Sequence, residues 1–482
     1  MSRAKPALAL AGLAVTCLAL ASCGESSPVR AQLLVEVDTD VPTMAQALSD
    51  PDYSDDATLD TLRIDVINAD GTVIDFLDVV APTQEDWPIS FGALPPDGND
   101  QVRFRMRLFR GQEATRGMLN GAPSLEPAPR ITIDRVVDLR FPASGVSQAR
   151  VVLRGDCLGV RSTFGSAPTT CIDGAHPRGN ATDGIEHRAT GQTLVGSWPA
   201  ARSVPCRGPA PTPEALCIPG GFSVLGDAGF VGLGSFTDAA PLTPVFLSPF
   251  WLDRSEITVA RYRQFAMTEG APDQPPFTRI EADLLRGECA FRGADESEFD
   301  AYPLNCTYWQ TLREICQADG GDLPTEAQWA HAARGRGEAR LYPWGDEEVE
   351  CCLSSISRAS LPGVPLLCEA QEGLEPAGSH PASDACHGLG DVSRDGVLDL
   401  GGSLSELLLD AARPFDDPCW SNEGIARDPL CEGDGGLVAM RGGNFSSGTK
   451  LAAAAVRSDW SKNAWSGSMG ARCAYPDGNT SK

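Results

Sequence analysis

One N-terminal segment constrains this chain most, because it decides whether the later cysteines can pair. Residues 1–22 place Arg3 and Lys5 ahead of a short apolar run that ends in small residues. This order is typical of a secretory signal and not of a helix that spans a membrane. We therefore predict that the chain is exported into a compartment that oxidises thiols.

Cys23 stands directly after those small residues, and the stretch resembles a bacterial lipoprotein box. The resemblance implies cleavage before Cys23 and lipids on its thiol and its new amine. Gly24, with no Asp beside the lipidated cysteine, resembles the signals that are sorted to the outer membrane. We predict a membrane-anchored outer-membrane lipoprotein, periplasmic or at the cell surface, with residues 23–30 as a polar tether. A plain cleaved signal is the alternative.

Fourteen of the 16 cysteines remain once Cys17 leaves with the signal and Cys23 carries lipid. An even number in an oxidising compartment predicts disulfide bonds, although spacing alone does not fix their connectivity. The neighbouring Cys351 and Cys352 are expected to bond to different partners. Three closely spaced pairs could each close a short loop: Cys157 with Cys171, Cys206 with Cys217, and Cys419 with Cys431.

The charge of the chain excludes two classes of partner. Lys and Arg number 39 against 65 Asp and Glu, which gives a formal net charge of −26. Nucleic acid and anionic lipid would both be repelled, so we predict no nucleic-acid binding and no electrostatic docking on a membrane. We interpret the acidity as a source of solubility, so the predicted lipid has to hold the protein to the membrane.

Residues 31–156 show the period of half-buried strands. Between Val102 and Leu108, for example, apolar residues alternate with three arginines. Six or seven such runs, separated by turn signals, predict an all-β antiparallel sandwich of immunoglobulin-like type. We interpret the arginine row as a solvated sheet face and not as a binding strip.

The composition changes after this region. Residues 157–214 are rich in Gly, Pro, Ser, Thr and Cys, which predicts a cross-linked connector. Residues 215–477 carry short helical patterns between long loops. This mixture predicts an irregular α+β domain and not a doubly wound parallel sheet.

Three helices are predicted in that domain. The first follows Thr258, which can cap it, and the second starts near Trp309 and stops before Gly320. Thr325 and Gln328 form a capping box for the third.

Seven blocks in the same region carry a family signature. In order they are CIPGGFSVLGD (217–227), SPFWLDRSEITVARYRQF (248–265), LPTEAQWAHAARG (323–335), YPWGDE (342–347), GVLDLGGSLSEL (396–407), MRGGNF (440–445) and GARCA (470–474). They resemble the blocks of the formylglycine-generating enzyme, or sulfatase-modifying factor, family. The resemblance implies a C-type-lectin-like fold, with short helices against a small twisted sheet and most of the chain in loops.

The resemblance also implies a chemistry. Enzymes of this family use copper and dioxygen to turn a cysteine of a nascent sulfatase into formylglycine, and two active-site thiolates hold the copper. The thiolate positions fall here on Ser447 and Ala452. Soft monovalent copper prefers sulfur, which neither a hydroxyl nor a methyl group supplies. We therefore predict no catalytic residue and no bound copper, while Gly442 and Gly443 keep a structural role in positive φ or close backbone approach.

Calcium is the metal for which the resemblance leaves ligands in place. In family members the block at 396–407 wraps a calcium ion, and the ligands fall here on Asp399, the carbonyls of Gly402 and Leu404, and Glu406. Calcium takes several hard oxygens from a flexible loop, and a carboxylate at each end supplies charge. Ser405 and Leu407 stand where the family commonly has tryptophans beside the glutamate.

A rival calcium loop begins at Asp391. The sequence DVSRDG resembles the first half of an EF-hand loop, but Gly402 stands at the twelfth position, where the motif requires glutamate. A solvated acidic turn is the alternative interpretation.

Two functional hypotheses follow from these residues. The first is a non-catalytic binding module, a pseudoenzyme on a lipid anchor, in which the loops of residues 416–470 present a groove to a protein, peptide or glycan. Trp420, Trp460 and Trp465 could line that groove or pack in the core. The second is a copper- and O2-dependent oxidoreductase that generates formylglycine, or performs a related oxidation, with an unrecognised metal site.

A relocated thiol pair at Cys351 and Cys352 would serve the second hypothesis, but disulfide bonding is the simpler expectation for both cysteines. We favour the binding module, because the two sulfur atoms that define the chemistry are absent from their positions while the blocks that define the fold are present.

Overall fold

The structure is a computed structural model that describes residues 30–95, 99–188, 191–227, 239–268, 276–278, 289–358, 373–420, 423–433 and 435–478. The signal over residues 1–22, Cys23 and nearly all of the tether lie outside the described residues and stay predictions. Within the described ranges, no helix is both long enough and apolar enough to cross a membrane.

Strands dominate the N-terminal half, which we define as residues 30–214. Its longer strands are β1 Gln32–Thr39, β2 Thr61–Ile67, β3 Val73–Val80, β4 Ile89–Ala93, β5 Gln101–Phe109, β6 Thr115–Leu119, β7 Ala122–Glu126, β8 Ile133–Arg140 and β9 Val146–Leu153. Three two-residue strands follow: β10 Thr169–Thr170, β11 Gly179–Asn180 and β12 Ile185–Glu186. The helix α1, Met44–Ser49, lies between β1 and β2.

The long strands form two sheets that share one core. The first sheet has the order β3-β2-β5-β8 and is antiparallel, and the second has the order β12-β9-β1-β4. Val35 of β1, Ile64 of β2 and Phe104 of β5 belong to one buried cluster. However, β1 runs parallel to β9, so the prediction of a purely antiparallel sandwich is wrong. Alternation shows which face of a strand is buried, but it does not show the direction of its neighbour.

The arginine row of β5 is covered, which corrects its interpretation as a solvated face. Arg105 makes a bidentate pair with Asp134 of β8, at 2.9 and 2.7 Å. Arg107 is only 7 % exposed and pairs with the buried Asp65 of β2 at 2.9 Å. Acidic residues on the neighbouring strands therefore pair with the guanidinium groups, and the row is an internal ladder of ion pairs.

Residues 157–214 fold back onto these sheets. A disulfide bond joins Cys157 to Cys171, and β12 adds an edge strand beside β9. Trp198 lies in the shared buried cluster, and its indole N–H donates to Asp156 at 2.9 Å. The segment is thus both cross-linked and packed against the N-terminal sheets.

The C-terminal half, residues 215–478, combines short strands, helices and long loops. Its strands are β13 Ala215–Ile218, β14 Gly221–Leu225, β15 Thr243–Leu247, β16 Phe250–Asp253, β17 Ser405–Ala411, β18 Ala426–Arg427, β19 Leu437–Arg441, β20 Arg457–Ser461, β21 Met469–Gly470 and β22 Ala474–Pro476. Its helices are α2 Val259–Ala266, α3 Trp309–Ala318 and α4 Glu326–Ala333. The sheets have the orders β13-β16-β22, β14-β15-β18 and β20-β19-β17-β21.

The three helices begin where the sequence predicts. The Thr258 side chain caps α2 by accepting the N–H of Arg261 at 3.3 Å. At α4, the Thr325 hydroxyl accepts the N–H of Gln328 at 3.2 Å, and the Gln328 side chain accepts the N–H of Thr325 at 2.9 Å. Both caps satisfy N–H groups that have no partner inside the helix.

Disulfide bonds link both halves internally. The three predicted short-range pairs are confirmed, and because Cys352 pairs with Cys386 while Cys351 is also disulfide-bonded, the neighbours do bond to different partners. The described bonds are Cys157–Cys171, Cys206–Cys217, Cys289–Cys306, Cys316–Cys473, Cys352–Cys386 and Cys419–Cys431.

The strand β14 joins the two halves. Phe222 and Val224 of β14 belong to the same buried cluster as the N-terminal sheets, and the Phe222 ring lies 5.3 Å from that of Trp198. The backbone N–H of Val224 donates to Asp56 of the N-terminal half at 2.7 Å. Apolar and polar contacts therefore both cross the junction.

Candidate functional site

The loop of residues 440–452, which we call the signature loop, begins at the end of β19, a central strand between β17 and β20. The chain turns at Gly442, where φ is 73°. A side chain at Gly442 would also come within 2.9 Å of the carbonyl oxygen of Leu400. Both conditions require glycine, which confirms the structural role predicted for this position.

The polar side chains of the signature loop bond to one another. The hydroxyl oxygen of Ser447, a residue that is 9 % exposed, accepts the backbone N–H of Asn444 at 3.2 Å. The Ser446 hydroxyl donates to Oδ1 of Asn444 at 2.7 Å, and the Asn444 amide donates to the hydroxyl oxygen of Ser405 at 2.9 Å. This network holds the shape of the loop without any sulfur atom.

The two thiolate positions of the family do not fit copper in this chain. Ala452 ends the short 3-10 helix Thr449–Ala452 and is fully buried. With Ser447, it presents a hydroxyl and a methyl group where Cu(I) prefers sulfur. Each cysteine in the described part of the chain, including Cys351 and Cys352, lies in a disulfide bond, so no described thiol replaces them.

A buried ion cluster supports the signature loop from behind. Nε of Arg441 lies 2.8 Å from Oε1 of Glu326, and Arg457 donates to both oxygens of Glu326 at 2.6 and 2.7 Å. Burial alone would raise the pKa of Glu326, but Arg457 and Arg441 outweigh it and lower that pKa to about 2. Glu326 is therefore ionised and pairs with two buried guanidinium groups.

Asp410 of β17 lies beside this cluster, and its pKa is shifted in the opposite direction to that of Glu326. It is fully buried and accepts the backbone N–H groups of Glu326 and Cys431 at 2.7 and 2.8 Å. Burial and the charge of Glu326 raise the pKa of Asp410 to about 7. The two neighbouring acids thus differ because, among the described residues, guanidinium groups contact Glu326 and not Asp410.

Glu406, a predicted calcium ligand, is already paired with a cation. Nε of Arg472 lies 2.9 Å from both oxygens of the carboxylate, and Nη2 lies 2.6 Å from Oε1. The indole N–H of Trp329 donates to Oε2 at 3.1 Å. A calcium ion would have to displace Arg472, so Glu406 as placed does not fit this metal, and the ligand set stays a prediction.

The structure adds Glu256, which the sequence did not single out, to the surroundings of Asp399. Glu256 is 3 % exposed and accepts the N–H of Leu404 at 3.1 Å. Burial and the nearby Asp399 raise the pKa of Glu256 well above its usual range. Asp399 is equally buried, and burial raises its pKa as well. The position of Glu256, just ahead of the α2 cap, signals a helix start and gives no sign of this long-range contact.

The four predicted calcium positions lie in one buried region. Gly402 and Leu404 are buried in the turn between Asp399 and Glu406, and the charge of Asp399 acts to raise the pKa of Glu406. Glu256 and Asp399 lie within electrostatic reach of Arg472, as Glu406 does, so three carboxylates lie near this guanidinium group. Across the described ranges, no three His, Cys, Asp or Glu side chains converge as metal ligands.

Asp391 is not a solvated acidic turn, so that alternative is wrong. The residue is 1 % exposed, and its carboxylate accepts the N–H of Gly401 at 3.0 Å and the Ser354 hydroxyl at 2.9 Å. Burial and the charge of Asp399 raise the pKa of Asp391 to about 7. Asp391 therefore organises the backbone before the turn that contains Gly402.

The three tryptophans of the predicted groove have different surroundings. Trp420 is 1 % exposed and packs edge-on against Phe415, so it belongs to the core. Trp465 is half-buried and stacks on Phe277 with ring centroids 4.2 Å apart. Trp460 is half-buried as well, and it packs against a buried cluster of the C-terminal half.

Comparison with known proteins assigns the C-terminal half to a family. The family model of the sulfatase-modifying factor enzyme 1-like domain matches residues 201–476, more than half of the chain. This chain therefore belongs to the sulfatase-modifying factor enzyme 1-like family, which confirms the resemblance of the seven blocks.

Several individual proteins are similar to parts of this chain. The formylglycine-generating enzyme of Streptomyces coelicolor is 28 % identical over 316 residues, which cover 57 % of this chain and 94 % of that enzyme. The hercynine oxygenase of Mycolicibacterium smegmatis is 26 % identical over 211 residues, 39 % of this chain and 46 % of that protein. Among solved structures, PvdO from Pseudomonas aeruginosa aligns over 56 % of this chain and 98 % of its own, at 15 % identity and a TM-score of 0.38.

Proposed function

We propose that this protein is a non-catalytic, ligand-binding member of its family, exported and anchored to the outer membrane through lipids on Cys23. One observation carries the proposal: the positions that hold copper in the family's enzymes are Ser447 and Ala452 here. A hydroxyl group and a methyl group cannot replace two thiolates for a soft metal.

The preserved shape of the signature loop supports binding in place of chemistry. Gly442 and the hydrogen bonds among Asn444, Ser446 and Ser447 keep the loop ordered without a metal. A rigid loop cluster is a suitable binding surface, because little conformational entropy is lost when a ligand binds. The ligand we propose is a protein, peptide or glycan that contacts the loops of residues 416–470, where Trp460 and Trp465 offer half-buried aromatic surface.

The decisive experiment incubates the mature chain with copper, oxygen and a cysteine-containing peptide, and follows the mass of the peptide. We expect the peptide to keep its cysteine, and we expect no tight Cu(I) binding in competition with a chelator. Conversion of the cysteine to the aldehyde would favour the copper-dependent oxidoreductase and end the binding-module proposal.

A double variant tests whether sulfur alone is missing. Ser447→Cys with Ala452→Cys restores both soft ligands, and we expect at least a roughly tenfold gain in Cu(I) affinity over the unmodified chain. The matched control moves both thiols by one residue, as Ser446→Cys with Ala453→Cys, and should gain much less. Equal copper binding by the unmodified chain and the double variant would contradict the proposal.

The lipid anchor has its own test. Cys23→Ser removes the thiol that would carry lipid, so we expect the protein to move from the membrane fraction to the soluble fraction. A Cys23→Ser protein that still sediments with membranes would show that something other than this lipid holds it there.

A further inference from the structure

A cavity lies between the two halves and is lined by none of the residues of the signature loop. Its volume is about 220 Å³. The N-terminal half contributes Arg110 and Glu113, and the C-terminal half contributes Val224, Gly226 and Arg334. We call it the junction cavity. It is smaller than the roughly 300–1,000 Å³ of pockets for drug-sized ligands, so its occupant must be small.

Arg334 places a buried guanidinium group in the wall of the junction cavity. The residue is 5 % exposed, and its Nη1 donates to the carbonyl oxygen of Gly226 at 2.9 Å. No carboxylate of the described residues lies within ion-pair distance of Arg334. A buried charge without a counter-charge is costly, and a carboxylate is the anion whose two oxygens match a guanidinium group.

Arg110 adds a second fixed positive charge. It is 8 % exposed, and its Nη2 donates to the Thr58 hydroxyl at 3.1 Å and to the carbonyl oxygen of Asp55. These bonds hold the guanidinium group in place. Burial raises the pKa of Glu113, whereas Arg110 and Arg334 act to lower it, so both guanidinium groups lie within electrostatic reach of Glu113.

The acidic side of the junction cavity favours a cationic group. Asp56, Glu113 and Asp227 place three carboxylates in the lining against the two guanidinium groups. Burial raises the pKa of the half-buried Glu113, and the charges of Asp227 and Asp56 raise it further. A ligand ammonium group beside Glu113 would stabilise the ionised carboxylate.

The remaining wall is aliphatic. Leu59, Ile131, Leu158 and Val224 line it, and each is at most 8 % exposed. This surface offers no hydrogen bonds and gains from contact with an apolar group. One small space therefore combines cationic, anionic and apolar surfaces.

We propose that the junction cavity binds a free amino acid with an aliphatic side chain, its carboxylate on Arg334, its ammonium group on Glu113 and its side chain against the apolar wall. The ligand must carry both charges, because a carboxylate alone leaves Glu113 without a counter-charge and an amine alone leaves Arg334 without one. The proposal goes beyond the function proposed above, since it concerns different residues.

Calorimetric titration of the mature full-length chain tests it with four matched probes. L-leucine carries all three groups, 4-methylpentanoate lacks the ammonium group, 3-methylbutylamine lacks the carboxylate, and L-aspartate lacks the aliphatic side chain. We expect L-leucine to bind, and the other three to bind at least about tenfold more weakly. Absence of L-leucine binding at millimolar concentration, or equal binding of all four probes, would overturn the proposal.

Two variants locate the site. Arg334→Met should weaken L-leucine at least about tenfold and leave 3-methylbutylamine unchanged, while Glu113→Gln should remove the preference for L-leucine over 4-methylpentanoate. Arg313→Met, on α3 and outside the cavity lining, is the control for a lost arginine. If Arg334→Met unfolds, Glu113→Gln decides, because Glu113 is only half-buried. Unchanged L-leucine binding in either variant, or equal loss in Arg313→Met, would contradict the assignment.

The two proposals fail separately. Copper-dependent turnover at the signature loop would end the non-catalytic proposal and leave L-leucine binding at the junction cavity unaffected. Absence of L-leucine binding would end the cavity proposal and leave the copper result unchanged.

Discussion

The signature loop and the junction cavity differ in how their polar groups are satisfied. In the loop, Asn444, Ser446 and Ser447 bond to one another, and Arg441 behind them is neutralised by Glu326. At the cavity, Nε of Arg334 has no partner among the described residues. The two regions differ in whether their buried charges are paired. They do not differ in every hydrogen bond, because one Nη atom of Arg441 also lacks an acceptor in the described chain.

The difference separates groups that hold a shape from groups that are open to a ligand. A buried charge with an internal partner stabilises one conformation, and removal of the partner is expensive. A buried donor without a partner contributes little to folding and gains when an acceptor arrives. In this chain the first kind supports the loop where the family's enzymes act, and the second kind lies at the contact between the two halves.

The largest effect is expected from Glu326→Gln, which tests the internally paired region. The substitution removes the charge of the carboxylate that contacts two buried guanidinium groups, so we expect a loss of about 3–5 kcal/mol in the free energy of unfolding. Chemical denaturation measures it, with Glu298→Gln at an exposed position as the control. A loss no larger than the control would show that the cluster does not stabilise the fold.

The next effect concerns the pH dependence contributed by Asp410. Its pKa is raised from 3.8 to about 7, so the folded state keeps a proton that the unfolded state releases, and stability falls as the pH rises through this window. At about 1.4 kcal/mol per pKa unit, we expect the titration of Asp410 to lower the free energy of unfolding by roughly 2–4 kcal/mol across this window.

Denaturation from pH 4 to pH 8 measures this loss. Asp410→Asn removes the titration. The free energy of unfolding of the unmodified chain minus that of the variant should therefore fall as the pH rises. The exposed Asp384→Asn serves as the control. A constant difference across the window would mean that Asp410 does not hold the extra proton.

A smaller effect is expected from Arg334→Met at the junction cavity. The substitution removes one hydrogen bond to Gly226 and, among the described residues, no ion pair, so we expect a loss of about 1 kcal/mol in the absence of ligand. The same denaturation assay measures it beside Glu326→Gln. Equal losses in the two variants would remove the distinction between the paired region and the open one.

The smallest effect is expected from calcium. Because Arg472 already neutralises Glu406, a calcium ion at Asp399 gains less than it would in an open carboxylate site, and we expect a rise in Tm of at most about 3 °C at millimolar calcium. Thermal melting with and without calcium measures it, and Asp399→Asn should abolish the rise. A rise that survives Asp399→Asn would place the ion elsewhere.

Local features of this fold were predictable from the sequence. The caps at Thr258 and Thr325 and the disulfide bond between Cys206 and Cys217 depend on residues close together in the chain, where residue type and spacing carry most of the information. The absence of sulfur at the two thiolate positions was equally visible, because the resemblance placed those positions within a few residues of Gly443.

Long-range features were not predictable from a single sequence. The parallel pairing of β1 with β9, the approach of Glu256 to Asp399, and the pairing of Arg472 with Glu406 each join residues that are distant in the chain. The junction cavity is the extreme case, since it exists only after two separately patterned regions pack together. Periodicity records which face of an element is buried, and it does not record what covers that face.

The position of β14 in a buried cluster shared by both halves limits how this protein can be divided into fragments or used in fusion proteins. A fragment that starts at residue 215 would expose the apolar side chains of Phe222 and Val224 to water, and it would tend to aggregate. Fusion of the C-terminal half to another protein would require other residues to bury the apolar side chains of β14.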